Sequence, residues 1–250
     1  MSADLSGRRV LVTGGASGIG AACAEKFAAA GALVTVADLD TDGARKIAEP
    51  LGAESVGVDL ADSSFDAWAL AASQDIIVNN AGIQHVSPVE EFPEEKFRQI
   101  LALMLEAPFR LVRAALPHMY DQQWGRIVNI SSVHGLRASP YKSAYVAAKH
   151  GLEGLSKTIA LEGGARGVTS NTICPAYVRT PLVEKQIADQ ARVHGIPEAE
   201  VVEKIMLTES AVKRLVEPAE VAELAVFLCS PQMSFANGSS YVLDGGWTAR

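Results

Sequence analysis

Tyr145 and Lys149 are the two side chains whose types and spacing most directly suggest chemistry. They lie four residues apart in SAYVAAKHG, 143–151, a segment that favours a helix, and residues with this spacing share one helical face. An ammonium beside a phenol stabilises phenolate, so the pair predicts a tyrosine general base with a pKa below its ordinary value of about 10. Taken alone the pattern is weak, because a packed tyrosine and a solvated lysine have the same spacing.

A serine strengthens this interpretation. Ser132 lies in NISSVHG, 129–135, directly after a β-branched run that predicts a strand. We expect its hydroxyl to leave the sheet edge near Tyr145 and to hydrogen-bond a substrate oxygen.

A glycine-rich segment predicts a nucleotide site. TGGASGIG, 13–20, follows the run RRVLVT and opens a helix, where glycines let the backbone approach a pyrophosphate at the helix N-terminus. Asp38 ends the next predicted strand, where a carboxylate accepts hydrogen bonds from a ribose diol and repels a 2′-phosphate. NAD is therefore favoured over NADP. The alternatives are a loop that needs glycine for its turn and an exposed aspartate.

The elements that position these residues alternate along the chain. Short β-branched runs, among them LVTVAD, DIIVNN, RIVNIS and SYVL, alternate with helical patterns, which predicts βαβ units around a parallel sheet. We expect an α/β fold with one domain over 1–250, a Rossmann-like doubly wound parallel sheet flanked by helices on both faces. Residues 183–215 are the predicted substrate lid, and the third crossover helix must be short.

Composition excludes several classes of protein. The net charge of −7 argues against nucleic-acid binding, which needs a basic surface. Cys23, Cys174 and Cys229 lack metal-ligand spacing, so neither a disulfide framework nor a metal site is expected. The sequence has no apolar run as long as a membrane span, so we expect a cytoplasmic protein that does not bind membranes.

TGGASGIG, NNAG at 79–82, Ser132 and the Tyr145–Lys149 pair together resemble the short-chain dehydrogenase/reductase family over essentially the whole chain. The resemblance implies that Tyr145 takes the alcohol proton, Ser132 orients the oxygen, and Lys149 tunes the tyrosine and holds the nicotinamide ribose. It also implies a cofactor site made of Thr13, Gly14, Ser17, Gly18, Ile19, Gly20, Asp38, Asp59, Leu60, Asn80, Ala81, Gly82, Tyr145, Lys149, Pro175, Val178 and Thr180.

More narrowly, NNAGIQH, SVHGLRASPYKSAYVAAKHG and CPAYVRTPLVEKQI are similar to bacterial D-3-hydroxybutyrate dehydrogenases. That resemblance implies NAD-dependent interconversion of (R)-3-hydroxybutyrate and acetoacetate. Independently, a carboxylate substrate on a negatively charged protein needs a local donor cluster. The implied substrate site adds Gln84, His134, Lys142 and Gln186 around the carboxylate, and Tyr177 and Trp247 around the carbon chain, to Ser132 and Tyr145.

Two residues depart from the family pattern. Met104 stands where the family has an asparagine in the helix after the fourth strand, and Tyr177 stands where the subfamily usually has tryptophan. Pro108 has no N–H to bond the carbonyl of residue 104. Our hypothesis is that this carbonyl holds the water that the asparagine normally helps to place.

Alternatives remain open at this stage. A related enzyme for another small hydroxy acid or secondary alcohol fits most of the same residues, and Met104 also fits an idle NAD-binding module. The family implies a homotetramer, and the apolar segment 222–228 with SYVL suits either an interface or the core.

Overall fold

Seven parallel strands form one sheet in the order β3-β2-β1-β4-β5-β6-β7. The computed structural model describes residues 3–181, 183–184, 187, 191 and 195–249. The strands are β1 (Arg9–Thr13), β2 (Leu33–Asp38), β3 (Glu54–Gly57), β4 (Ile76–Asn79), β5 (Gly125–Ile130), β6 (Val168–Pro175) and β7 (Ser240–Leu243).

Helices cross between the strands. The α-helices are α1 (Gly18–Ala29), α2 (Thr41–Ala48), α3 (Ala67–Ala71), α4 (Glu94–Leu101), α5 (Ala107–Asp121), α6 (Ser143–Gly163), α7 (Glu198–Val201) and α8 (Pro218–Leu228). The described chain also has π-helical turns at Ala102–Glu106 and Val202–Met206 and short 3-10 turns, of which Val133–Gly135 matters for the site.

Helices cover both faces of the central strands, whose alternate residues point to opposite sides of the sheet. Val10 and Val12 pack with Phe27 of α1 in a core that also contains residues of α2 and α8. Leu11, between them, packs on the other side with Leu111 of α5, where α3 and α6 also contribute. Apolar burial on both faces explains why these strands read as continuous β-branched runs.

This architecture confirms the predicted single-domain doubly wound α/β fold. The strand bounds of β2 and β7 match the runs LVTVAD and SYVL, and α3 is as short as the spacing between Asp59 and Asn79 requires. The carboxyl ends of all seven parallel strands meet at one edge, which is where an open α/β sheet binds its ligands.

The predicted lid lies beyond β6. Residues 183, 184, 187 and 191 have helical backbone, and Val183, Ile187, Val201 and Leu215 share an apolar cluster separate from the two main cores. That the segment covers the site stays a prediction. No helix among the described residues is long and apolar enough to span a membrane.

Candidate active site

A cleft of about 450 Å³ runs along the carboxyl edge of the sheet. It begins at the loop after β1, passes the ends of β2 and β4, and reaches Ser132, Tyr145 and Lys149. Fifteen of the predicted cofactor residues line it: Gly14, Ser17, Gly18, Ile19, Asp38, Asp59, Leu60, Asn80, Ala81, Gly82, Tyr145, Lys149, Pro175, Val178 and Thr180.

Thr13 and Gly20, the other two predicted cofactor residues, support the cleft from behind. The Thr13 hydroxyl accepts hydrogen bonds from the backbone N–H groups of Asn80 (3.0 Å) and Ala81 (3.2 Å) and donates to the carbonyl of Val78. Thr13 is 2% exposed, so its side chain joins β1 to β4. A Cβ at position 20 would lie 2.1 Å from the carbonyl oxygen of Gly14, so only glycine allows α1 to start this close to the loop.

The glycine loop has the geometry of a nucleotide cradle. Gly14 has φ of 64°, in the left-handed region that favours glycine, and a Cβ there would lie 2.8 Å from Cα of Ala81. The Asn80 amide donates to the carbonyls of Thr13 (2.9 Å) and Gly14 (3.0 Å). The loop is therefore held open toward the cleft, and the residues present fit a dinucleotide with its pyrophosphate at the N-terminus of α1.

Asp38 brings a negative charge to the end of β2. Its carboxylate accepts hydrogen bonds from the backbone N–H groups of Ala16 (3.0 Å) and Asp40 (2.9 Å). These bonds fix the side chain at the wall of the cleft, where a carboxylate suits a ribose diol and opposes a phosphate.

The sheet edge and α6 bring together the three predicted catalytic side chains. The ammonium of Lys149 lies 5.7 Å from the ring centroid of Tyr145 and donates to the carbonyl of Ile130 at 2.6 Å. The Ser132 hydroxyl accepts from the backbone N–H of His134 at 3.2 Å and is hydrogen-bonded to the phenol of Tyr145. A substrate oxygen beside the serine and tyrosine hydroxyls would therefore contact both.

The sequence predicted that the pKa of Tyr145 is lowered, and the structure shows the opposite direction. Burial raises the pKa of Tyr145 above its ordinary value of 10, and the hydrogen bond from Ser132 offsets this only in part. Burial also lowers the pKa of Lys149 to about 8. Desolvation disfavours the charged form of each group, so burial outweighs the effect of the lysine that the spacing suggested.

A smaller pocket of about 80 Å³ adjoins the catalytic side chains. Its depth is set by the turn Val133–Gly135 after β5 and by the segment after β7. The predicted substrate residues Gln84, Ser132, His134, Lys142, Tyr145, Tyr177 and Trp247 all line it, together with Val133, Ala176 and Val183. Gln186, the remaining predicted substrate residue, lies outside the described residues.

Lys142 and His134 form the polar end of this pocket. Nζ of Lys142 lies 3.5 Å from Nε2 of His134 and 5.9 Å from the ring centroid of Tyr177. Burial and the neighbouring Lys142 lower the pKa of His134 to about 4, and burial lowers that of Lys142. Tyr141 directs Lys142 inward through a left-handed backbone with φ of 68°, a conformation that costs energy for a non-glycine residue. His134 is thus neutral near pH 7, and the lysine is the positive charge.

The comparisons with known proteins agree with this geometry. The family model described as enoyl-(acyl carrier protein) reductase matches residues 14–248. D-beta-hydroxybutyrate dehydrogenase of Rhizobium meliloti (strain 1021) is 44% identical over 256 residues, which cover 97% of this chain and 99% of that protein.

The chain belongs to the short-chain dehydrogenase/reductase family.

Other members point in more than one direction. D-beta-hydroxybutyrate dehydrogenase of Cupriavidus necator is also 44% identical, over 98% of this chain and 100% of that protein. A crystal structure of a putative NAD(P)-dependent gluconate 5-dehydrogenase from Beutenbergia cavernae, with bound NADP at low occupancy, has a TM-score of 0.89 at 34% identity and covers 99% of both chains. The chain described here is therefore an oxidoreductase of a family that binds nicotinamide cofactors.

Met104, at the position where the resemblance predicts an asparagine, is buried beside the cleft. Its side chain is 1% exposed and its Sδ and Cε would lie 3.6 and 3.4 Å from a Cβ at Gly82. Residues Ala102–Glu106 form a π-helical turn in which the N–H of Ala107 bonds the carbonyl of Ala102. In that register Pro108 would face the carbonyl of residue 103, and in an α-helical register that of residue 104. It has no N–H for either.

Several cleft residues were not predicted from the sequence. They are mainly apolar side chains distributed along the whole cleft, and no local motif distinguishes such residues from core residues. They include Leu39, Val58, Ala61, Ile83, Gln99, Leu103, Ile130, Ser131, Ala176, Pro181 and Val183.

Proposed function

We propose that this protein is an NAD-dependent dehydrogenase that interconverts (R)-3-hydroxybutyrate and acetoacetate. The observation that carries the proposal is the pairing of Lys142 with His134 in a small pocket that also contains Ser132 and Tyr145. A carboxylate at one end and a reacting hydroxyl at the other are what this pocket is built to hold.

The carboxylate is the part of the substrate that Lys142 and His134 recognise. With the lysine donating to Nε2, the imidazole proton is on Nδ1, and that atom is buried without a hydrogen-bond partner among the described residues. The ammonium of Lys142 is then the donor for an anionic substrate, and the neutral imidazole of His134 helps to hold it in place. Gln84 and Gln186 are proposed to complete this end.

The reacting end follows from the positions of Ser132 and Tyr145. In the oxidising direction the phenolate oxygen of Tyr145 takes the hydroxyl proton of the substrate, while Ser132 hydrogen-bonds the same oxygen as it becomes a carbonyl. A bound oxidised nicotinamide would supply the hydride acceptor and a positive charge that favours the phenolate. Lys149 contributes a second positive charge beside the tyrosine and a donor for the cofactor ribose.

The size of the pocket suits a short carbon chain. Tyr177 and Trp247 bound the space beside His134, and the ring centroid of Trp247 lies 5.7 Å from that of His134. In 3-hydroxybutyrate one methylene separates the carboxylate from the carbon that bears the hydroxyl, and the ring centroids of His134 and Tyr145 lie only 6.1 Å apart.

The preference for NAD is proposed from Asp38. Its carboxylate is fixed by two backbone N–H groups, so it is not free to turn away from a 2′-phosphate. The bound NADP of the Beutenbergia cavernae structure makes this preference worth measuring directly.

A second candidate is a dehydrogenase for another small hydroxy acid or secondary alcohol. Tyr177 favours it, because a tyrosine in place of the usual tryptophan changes the pocket wall. Initial rates with (R)-3-hydroxybutyrate, a larger 3-hydroxy acid and an uncharged secondary alcohol separate the two candidates.

We further propose that the protein assembles as a homotetramer. Leu101, Leu105, Phe109 and Leu155 form an apolar groove on the outside of α4, α5 and α6, and Phe109 is 49% exposed. A second copy of this chain would bury such a surface. In contrast, the segment 222–228 packs in the core against α1, with Phe227 exposed. Light scattering of the purified protein should give four times the 26.4 kDa mass of the chain, and a monomer would contradict the assembly.

A further inference from the structure

Glu153 is a buried carboxylate that neither the sequence motifs nor the proposed chemistry uses. It lies on α6 one helical turn beyond Lys149, which itself lies one turn beyond Tyr145, so the three side chains follow one face of the helix. Glu153 is 4% exposed and Lys149 is also 4% exposed. Glutamate is rarely buried to this extent unless it is paired or has a function.

Three protic side chains solvate the carboxylate. Oε2 accepts hydrogen bonds from the hydroxyls of Thr172 (2.9 Å) and Ser240 (2.6 Å), and Oε1 accepts from the thiol of Cys174 at 3.2 Å. These donors lie on β6 and β7, and Gly135 of the turn after Ser132 packs against the same carboxylate, so that a Cβ there would lie 3.2 Å from Oε1. Three donors thus replace part of the hydration that the carboxylate loses on burial.

Glu153 is the carboxylate that opposes the effect of burial on the pKa of Lys149. Burial lowers the pKa of Lys149 to about 8, and Cys174 and Glu153 act in the opposite direction. Burial raises the pKa of Cys174 to about 12, so this thiol is neutral at the pH of catalysis.

The other elements packed against α6 do not supply a competing charge at this point. Ile100 and Met104 pack against Ala144 and Ala148 of α6, and the buried residues of α5 are all apolar. The turn Val133–Gly135 brings His134, which is neutral near pH 7 because burial lowers its pKa.

We propose that Glu153 is a positioning residue whose negative charge, one helical turn beyond Lys149, keeps that lysine in its ammonium form. The buried lysine then retains the positive charge that the Tyr145 phenolate requires. The two charges act on one another through the poorly screened interior while each is hydrogen-bonded to other groups. The hydrogen bonds of Glu153 also join α6 to β6 and β7, the strands that precede Tyr177 and Trp247 in the chain. The inference rests on the chemistry of the family and not on which alcohol is the substrate.

The test is the pKa of Lys149, measured by NMR in protein labelled with ¹³C at lysine Cε and assigned by loss of one signal in Lys149→Met. Glu153→Gln keeps an acceptor for Thr172 and Ser240 but removes the charge. We expect it to lower the pKa of Lys149 by about one unit, the lower end of the effect of a close opposite charge. Glu162→Gln, an exposed change on the same helix, should leave it unaltered. An unchanged pKa in folded Glu153→Gln overturns the proposal.

A kinetic readout separates charge from packing. Because Lys149 then loses its proton at lower pH and the phenolate requires the charged lysine, Glu153→Gln should shift the alkaline-side fall of kcat/KM for alcohol oxidation to lower pH and should reduce the plateau rate. Glu153→Asp keeps the charge, so it should lower the melting temperature while leaving the Lys149 pKa close to that of the wild type. A fall in rate with no change in that profile would assign Glu153 a structural role only.

Wild-type protein provides a test that needs neither a variant nor a substrate. The ¹³Cδ signal of Glu153 should show an ionised carboxylate at pH 7 and a small step near pH 8, where Lys149 loses its proton. A protonated Glu153 at pH 7 overturns the proposal. Failure of (R)-3-hydroxybutyrate as a substrate would leave both NMR experiments intact, so the two proposals fail separately.

Discussion

The ammonium of Lys142 lies 3.5 Å from Nε2 of His134, in a pocket whose other end contains the hydroxyls of Ser132 and Tyr145. The lysine precedes α6 and the histidine follows β5, so two elements converge to make this pair. The ammonium of Lys142 and the neutral imidazole of His134 thus line one end of a pocket of about 80 Å³.

Lys142 should control affinity more than turnover. Lys142→Met removes the charge and keeps most of the side-chain volume, so we expect KM for the hydroxy acid to rise by about tenfold or more while kcat falls less, because a charge-assisted hydrogen bond to the carboxylate is lost. Steady-state kinetics measure both parameters. Rates with an uncharged secondary alcohol serve as the control and should not fall; an equal loss for both substrates would argue against recognition of the carboxylate.

His134 should make the protein sensitive to acid. Its pKa is lowered to about 4 in the folded protein, from an ordinary value of 6.5. Between pH 4 and pH 6.5 the imidazole is therefore protonated in the unfolded chain and neutral in the folded protein. Its contribution to the free energy of unfolding is therefore present above about pH 6.5 and is lost as the pH falls toward 4. His134→Gln should narrow the difference in melting temperature between pH 7.5 and pH 4.5. An unchanged difference would contradict a buried neutral histidine.

Met104 and Pro108 test the hypothesis that a free backbone carbonyl holds the water that an asparagine at position 104 would help to place. If the carbonyls freed by Pro108 hold a water, Pro108→Ala should lower kcat several-fold, since its N–H would close the helix, while Met104→Asn should change kcat little. The measurement is kcat for each variant, with Met104→Leu as a control for volume. A large gain in Met104→Asn together with no effect in Pro108→Ala would contradict the hypothesis.

Asp38 should set the choice of cofactor. Asp38→Ser removes the negative charge beside the ribose while retaining a small polar group, so the ratio of kcat/KM for NAD to that for NADP should fall by about tenfold or more. Asp40→Ser changes the neighbouring exposed aspartate and should alter the ratio much less. A ratio that Asp38→Ser leaves unchanged would place the discrimination elsewhere.

Most of the fold could be predicted from the sequence because buried parallel strands contain continuous runs of β-branched residues. The bounds of Leu33–Asp38 and Ser240–Leu243 match the predicted runs LVTVAD and SYVL. The π-helical turn Ala102–Glu106 was not, since one extra residue per turn leaves no clear mark on hydrophobic periodicity.

The positions of site residues could be predicted where a sequence motif identifies them. Properties that depend on how the side chains pack could not. Ser132, Tyr145 and Lys149 converge as expected, whereas the raised pKa of Tyr145 depends on how deeply it is buried. Glu153 looks like a surface glutamate in sequence. Its burial depends on Thr172 and Ser240, which reach it from distant strands.

Initial rates of NAD reduction with (R)-3-hydroxybutyrate, compared with the (S) enantiomer and with NADP in place of NAD, test the central claim most directly. Fast turnover of the (R) acid with NAD, and slow turnover in the other two assays, is the predicted result. No turnover of (R)-3-hydroxybutyrate by protein that NAD stabilises against heat would contradict the proposed substrate, and a preference for NADP would contradict the role given to Asp38.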